Sequence, residues 1–233
     1  MPAWLRADLE FVCFFSYRMP GLSPQFSLAS PLPGPAAIKL AIIDSAIQYT
    51  GDPEYGRSIF EIIKDSQVMA IPPEYVSIQK FFIKRLKKPK ETGSMVVEST
   101  AIREYCHLSG PLEIFLEVYY PEEIKQLFLK INRLGTTDSL LMSSVYESTK
   151  PPEELCWKKL DELTLPVKGI NYDKRLVVSL TDFKKGIKFD EVNPFSDVKQ
   201  PKPFEQSSFI LPLKLEKRGK SWVIFKRVPF SLT

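Results

Sequence analysis

The sequence contains few of the residues that metal sites and disulfide frameworks need. Its 233 residues include one histidine, His107, and three cysteines, Cys13, Cys106 and Cys156. The cysteines are odd in number, lie far apart and form no C-x-x-C pair, which is typical of free or buried thiols in a reducing compartment. A structural zinc site needs about four closely spaced ligands. We therefore expect no metal and no other cofactor.

Long apolar runs and common enzyme motifs are also missing. The sequence has no run of about 18 apolar residues, and its charged start, MPAWLRADLE, is unlike a signal peptide. We therefore expect a cytoplasmic protein that does not bind membranes. There is no G-x-x-x-x-G-K-[ST], no dinucleotide-binding glycine pattern, no H-E-x-x-H and no G-x-S-x-G. These absences weigh against nucleotide-driven, redox and hydrolase activities.

The charge balance shows only a small surplus of one sign, but the basic residues are clustered. Lys and Arg number 32 against 28 Asp and Glu, a net charge of +4, which does not by itself indicate nucleic-acid binding. One short stretch contains Lys80, Lys84, Arg85, Lys87, Lys88 and Lys90. This stretch is either a solvated β-ribbon whose lysines block edge pairing or a contact for a phosphate backbone. We favour the phosphate contact.

Hydrophobic periodicity predicts a strand followed by helices in the first half of the chain. Residues 5–15 alternate as a half-buried strand. A largely buried helix should begin at Pro35 and end at Gly51, and a short second helix follows at YGRSIFEIIKDSQ. The segment YPEEIKQLFLKINRLG predicts an amphipathic helix that ends at Gly135.

Strands dominate the remaining sequence. Residues 96–108 and 112–119 predict two strands joined at Gly110 and Pro111, and the last third contains KRLVVSL, SSFILPLKL and SWVIFKRV. The order strand, helix, strand, strand, helix, strand, with further strands at the end, indicates an α+β fold with an antiparallel, ferredoxin-like sheet. We expect residues 1–150 to form this domain and residues 151–233 to form a strand-rich C-terminal extension packed on it.

Three polar segments have more than one interpretation. REYCHLSG places Arg103 and His107 on one side of a strand with Tyr105 between them, where they could contact a phosphodiester or perform acid–base chemistry on RNA. A structural histidine is the alternative. INRLGTTDSLL is either a helix C-cap with a polar turn or a loop that holds a nucleotide. EKRGKSW is either a hairpin turn or a second basic contact.

Three segments, in this order, resemble the Cas5 subunits of type I CRISPR effector complexes (Cascade), which are members of the RAMP superfamily. They are PLPGPAAIKLAIIDSAI before and in the first helix, STAIREYCHLSGPLEIFLEV with its Arg-Glu-Tyr strand, and LKINRLGTTDSLL with its glycine loop and following serine. The last third of the chain is similar only in being rich in strands. It lacks the glycine-rich loop of many RAMP proteins, which disfavours the glycine-loop processing endonucleases of the superfamily.

The resemblance implies an RRM-like (ferredoxin-like) domain with two main helices and a basic β-hairpin thumb at about residues 78–97. It also implies a subunit that caps the 5′ handle of crRNA in antiviral defence. Its partners would be crRNA, the backbone and large subunits of the complex, and target DNA near the handle. The implied RNA-binding residues are Gly34, Ala36 and Lys39 at the first helical turn, Arg103 and His107 on the strand, and Arg133, Gly135 and Ser139 after the later helix.

The residues around the first helical turn support an anion seat. Gly34 follows a long loop rich in proline and serine, and a glycine lets the backbone approach a partner closely. The unpaired N–H groups of an exposed first turn favour a phosphate, and Lys39 lies about one turn further along. We expect this exposed turn to be part of the site.

Two other functions remain open beside a non-catalytic RNA-binding subunit. One is a metal-independent endoribonuclease of the same superfamily, with His107 and Tyr105 as its catalytic residues. The other is a protein–protein scaffold in which the basic stretch contacts an acidic partner. We favour the RNA-binding subunit, because the basic residues are clustered and no second histidine is present.

Overall fold

The computed structural model describes residues 2–21, 26–87, 97–160, 175–197 and 203–230. Lys88 and Lys90 of the basic stretch lie outside the described residues, as do the side chains of Arg85 and Lys87. The described chain is a mixed α/β structure with two largely antiparallel sheets. None of its helices is long and apolar enough to span a membrane.

The first sheet has four antiparallel strands. They are β1 (Ala3–Phe11), β3 (Val68–Ile71), β6 (Leu112–Val118) and β7 (Leu141–Ser148). Their order across the sheet is β3-β6-β1-β7. The predicted alternation is confirmed for Leu5, Ala7 and Leu9, which are all buried on one face. The predicted strand over residues 5–15 is too long at its C-terminal end, because β1 ends at Phe11 and Cys13 is exposed.

Three helices pack around that buried face. They are α1 (Pro35–Thr50), α2 (Pro53–Ile63) and α3 (Pro121–Phe128). The predicted ends of α1 are confirmed: Pro35 is its first residue, and Gly51 adopts a left-handed conformation (φ 71°) with its N–H bonded to the carbonyl of Ile47. Helix α3 packs on β1 and β7, whereas α1 packs between α2 and α3.

The second sheet has seven strands. They are β2 (Phe26–Ser27), β4 (Tyr75–Lys87), β5 (Val97–Leu108), β8 (Lys158–Lys159), β9 (Arg175–Phe183), β10 (Phe204–Arg218) and β11 (Trp222–Arg227). Their order is β2-β5-β4-β11-β10-β8, and β9 also pairs with β10. The three strands predicted in the last third are confirmed as β9, β10 and β11. A short helix, α4 (Phe189–Val192), follows β9.

Strands β4 and β5 form a long antiparallel hairpin that carries most of the candidate residues. Their register runs from Val76 opposite Leu108 to Lys87 opposite Val97. Strand β11 pairs with the other edge of β4, so the last third of the chain completes the same sheet. Helix α1 packs against β9, which joins the two sheets through one hydrophobic core.

The predicted length of α3 is wrong. The helix ends at Phe128 rather than at Gly135. The carbonyl of Asn132 accepts the N–H of Leu141 at 3.0 Å, which holds the following segment in extended backbone pairing instead of a further helical turn. The apolar positions of this segment are buried in either conformation, and the periodicity therefore could not locate the helix end.

The two strands predicted on either side of Gly110 and Pro111 are confirmed as β5 and β6. Strands β5 and β6 lie in different sheets, because β5 pairs along its whole length with β4. The turn at Gly110 therefore carries the chain from the second sheet to the first. In the first sheet β6 lies between β1 and β3. The four buried residues of β3 are too short an apolar run to be recognised as a strand from the sequence.

Candidate nucleic-acid interface

Lys39 is buried, contrary to the expectation of an exposed first helical turn. Its side chain is 2% exposed, and its ammonium donates to the carbonyl of Lys64 at 2.8 Å and to the carboxylate of Asp182 at 2.9 Å. The same ammonium lies 5.5 Å from the centroid of the Phe183 ring. The charge of Lys39 is thus compensated within the chain by β9.

Gly34 and Ala36 are both buried, and Gly34 lies against the same strand. A Cβ atom at Gly34 would lie 3.0 Å from the carbonyl oxygen of Thr181 and 3.1 Å from its nitrogen. The close backbone approach that we expected at Gly34 therefore exists, but its partner is β9 of the same chain. In this structure Gly34, Ala36 and Lys39 are not placed to contact a phosphate from solvent.

The loop after α3 supports the segment beside β5. Gly135 has a φ of +102°, and a Cβ atom there would lie 2.6 Å from the carbonyl oxygen of Ser16. The hydroxyl of Ser139 is fully buried and accepts the N–H of Ser16 at 3.0 Å. Gly135 and Ser139 therefore position residues 14–16, whereas Arg133 is exposed in the same loop.

Lys80 and Lys84 of the basic stretch project from one face of the hairpin. Their side chains are 44% and 78% exposed, respectively. Lys80 lies 3.6 Å from a carboxylate oxygen of Glu104, and Lys84 lies 4.0 Å from one of Glu98. The Lys84–Glu98 pair is exposed on both sides and contributes little free energy, so Lys84 can exchange its glutamate for a phosphate. Glu104 is only 15% exposed and therefore holds Lys80 more firmly.

The opposite face of the hairpin carries the three residues predicted on β5. Because side chains alternate along a strand, Arg103, Tyr105 and His107 share this face. The register places Phe81 opposite Arg103 and Gln79 opposite Tyr105. The ring centroids of Phe81 and Tyr105 are 5.7 Å apart. The prediction that Arg103 and His107 lie on one side of a strand thus agrees with the observed register.

Phe14 extends this surface beyond the edge of β5. Phe15 pairs with Cys106 as an isolated bridge, which sets Phe14 beside His107. The Phe14 ring centroid lies 6.4 Å from the rings of both Tyr105 and His107. Sequence analysis missed Phe14, although it is one of the aromatics of the apolar FVCFF segment.

Strands β11 and β10 extend the same surface on the other side of β4. Trp222 lies opposite Gln79, and a shallow cavity of about 410 Å³ between the strands is lined in part by His107 and Lys217. The ammonium of Lys226 lies 5.5 Å from the Tyr75 ring centroid, and a hydrogen bond to Tyr75 raises the pKa of Lys226. We call this surface the open face; it comprises Phe14, Phe81, Arg103, Tyr105, His107, Lys217, Trp222 and Lys226.

The thiols and carboxylates offer little metal chemistry. Within the described ranges, no group of three or more His, Cys, Asp or Glu side chains could hold a metal ion. Burial raises the pKa of the Cys156 thiol to about 12 and also raises the pKa of Cys106. Both thiols are therefore protonated at neutral pH and are neither ready ligands nor nucleophiles.

Comparison with known proteins shows a sequence similarity over nearly the whole chain. No protein-family model matches the sequence. The chain is 30% identical over 225 residues to the CRISPR-associated protein Cas5 of Archaeoglobus fulgidus, which covers 96% of this chain and 98% of the relative.

Two solved structures show a weaker likeness. A crystal structure of a CRISPR protein from Archaeoglobus fulgidus is 14% identical with a TM-score of 0.44, covering 97% of this chain and 92% of that one. A chain of a CRISPR RNA-guided surveillance complex is 14% identical with a TM-score of 0.38, covering 98% and 91%. These TM-scores are too low to support an inference.

Proposed function

The chain belongs to the Cas5 family of CRISPR-associated proteins, and from that premise we propose that it is a non-catalytic RNA-binding subunit of a CRISPR effector complex. In this role it caps the 5′ handle of the crRNA in antiviral defence. Its proposed partners are the crRNA, the backbone and large subunits of a Cascade-like complex, and target DNA near the handle.

The observation that carries this proposal is the distribution of basic side chains on the β4–β5 hairpin. Lys80 and Lys84 are exposed on one face, and Arg103 lies on the other. A binding surface that neutralises phosphates releases counterions, which supplies affinity without regard to sequence. A hairpin with basic groups on both faces can follow a single strand around its edge.

We also propose that the first sheet with α1 and α3 is a ferredoxin-like core and that the β4–β5 hairpin is its thumb. Strand β1, helix α1, strands β3 and β6, helix α3 and strand β7 follow one another in the β-α-β-β-α-β order of that fold. The hairpin is inserted between β3 and β6. Residues 151–233 belong to the same domain in this proposal, because β11 pairs with β4.

Binding of a handle-containing RNA at increasing salt tests the function. With three or four phosphate contacts at about −0.7 each, the logarithm of the affinity should fall with the logarithm of salt with a slope of about −2 to −3. The RNA should be recovered uncut. Lys84→Glu should weaken binding, whereas Lys125→Glu on α3, an identical charge change away from the hairpin, should not. Absent or salt-insensitive binding would contradict the proposal, and cleavage lost in His107→Ala would favour the endoribonuclease alternative.

A further inference from the structure

We propose that the open face stacks the unpaired bases of single-stranded RNA. This inference rests on the proposed function and deepens it, because it names the part of the RNA that this surface takes. The exposed lysines of the hairpin hold phosphates, whereas the rings of the open face hold bases.

The rings are exposed on a sheet face that the described chain leaves uncovered. The side chains of Phe14 and Trp222 are 47% and 41% exposed, and Tyr105 contacts the Phe14 and Phe81 rings at centroid distances of 6.4 and 5.7 Å. A contiguous exposed apolar patch with a polar rim is typical of an interaction site. Aromatic side chains on a sheet face are a recurrent stacking platform for single-stranded bases.

The pairing of the strands sets the spacing of the rings. Same-face neighbours along a strand are about 7 Å apart, and adjacent strands are about 5 Å apart. Tyr105, Gln79 and Trp222 form one row across three strands, so the Tyr105 and Trp222 positions are about 10 Å apart. The exposed Gln79 lies between them with an amide that can donate to and accept from the edge of a base.

The positive charge around the rings favours a nucleic acid over an apolar protein partner. Lys217 and Lys226 lie beside the rings on one side, and Arg103 lies beside them on the other. The carboxylate of Glu216 also lines the cavity. The hydrogen bond to Tyr75 raises the pKa of Lys226, whose ammonium is charged at neutral pH in any case. Rings flanked by cations match the alternation of bases and phosphates in a single strand.

Trp222 is held in place before any ligand binds. A Cβ atom at Gly219 would overlap the Trp222 indole nitrogen, so the indole packs directly against the backbone of the β10–β11 turn. The turn is closed by the N–H of Gly219, which donates to the carbonyl of Trp222 at 2.8 Å. A ring fixed in this way loses little conformational freedom when a base stacks on it.

The experiment compares a base-bearing probe with a base-free probe. The first is an oligoadenylate of roughly eight nucleotides, and the second is an abasic ribose-phosphate oligomer of equal length. Tyr105→Ala and Trp222→Ala should each weaken oligoadenylate binding about 5- to 100-fold, with unchanged abasic affinity and salt slope. Tyr105→Phe and Trp222→Phe keep a ring and should retain most of the affinity.

The control is Tyr119→Ala, which removes an exposed aromatic ring next to β6 of the first sheet and should change neither affinity. Stacking is overturned if the alanine variants bind oligoadenylate as tightly as the wild type, or if they weaken both probes equally. In either case salt-dependent RNA binding by the wild type would leave the proposed function standing. If the wild type binds neither probe nor the handle-containing RNA at low salt, the proposed function fails and the stacking fails with it.

Discussion

The first turn of α1 and the exposed face of β5 both carry a basic residue in a pattern that suggested phosphate contact. The two regions differ in whether the rest of the described chain covers them. At α1, Lys39 is buried and held by Asp182. At β5, Arg103 and His107 lie on a sheet face that the described residues leave uncovered, beside the exposed ring of Phe14. The difference comes from β9, which covers the helix turn but does not reach β5. A basic residue near a glycine is therefore not a ligand site until the rest of the fold leaves it uncovered.

The energetic roles of the two regions differ accordingly. The buried ammonium of Lys39 is no longer hydrated and depends on partners within the chain. Removing a partner should therefore lower the stability of the folded protein. The groups of the open face are exposed or only partly buried, so removing one of them should affect ligand binding with little effect on folding. Substitutions in either region test this distinction, because stability and RNA affinity can be measured separately.

The largest expected effect is the loss of the carboxylate that compensates Lys39. Asp182→Ala should lower the free energy of unfolding by about 2 kcal/mol, less than for a fully buried pair because Asp182 is partly exposed. Lys39→Met should cost less, since methionine fills the space and the carboxylate left without its partner, that of Asp182, is 40% exposed and can be solvated. Denaturant unfolding measures both values.

The RNA affinity of Lys39→Met separates the two interpretations of this residue. We expect its affinity and its salt slope to equal those of the wild type. A salt slope shallower by about 0.7, the value of one phosphate contact, would return Lys39 to the binding site.

A smaller effect is expected where α1 meets β9. Gly34→Ala places a Cβ atom 3.0 Å from a backbone oxygen of Thr181, and the strand must shift to accept it. We expect a loss of about 1 kcal/mol of stability, measured by thermal unfolding, with unchanged RNA affinity. Wild-type stability combined with weakened RNA binding would show that this turn faces a ligand after all.

Local patterns in the sequence were sufficient for the elements whose surroundings are also local. The proline and glycine at the ends of α1 predicted that helix correctly, and the alternation of Leu5, Ala7 and Leu9 predicted β1 up to its end at Phe11. The same alternation placed Arg103, Tyr105 and His107 on one face of β5. These features depend only on the period of a strand or on the conformations that proline and glycine allow.

The features that the sequence did not predict depend on distant pairing. Asp182 is 143 residues from Lys39 in the chain, so no local pattern could show that this lysine has a partner. Phe14 and Trp222 join Tyr105 only through the bridge of Phe15 to Cys106 and the pairing of β11 with β4. The open face is thus a product of tertiary structure. The EKRGKSW segment forms the β10–β11 hairpin, which is one of the two interpretations that its sequence allowed.

Ultraviolet crosslinking of the protein to a handle-containing RNA, with the crosslinked residues mapped by mass spectrometry, tests the central claim most directly. The account predicts crosslinks at Phe14, Tyr105 and Trp222 of the open face and none at residues 34–39. Crosslinks at residues 34–39 without any on the open face would contradict it.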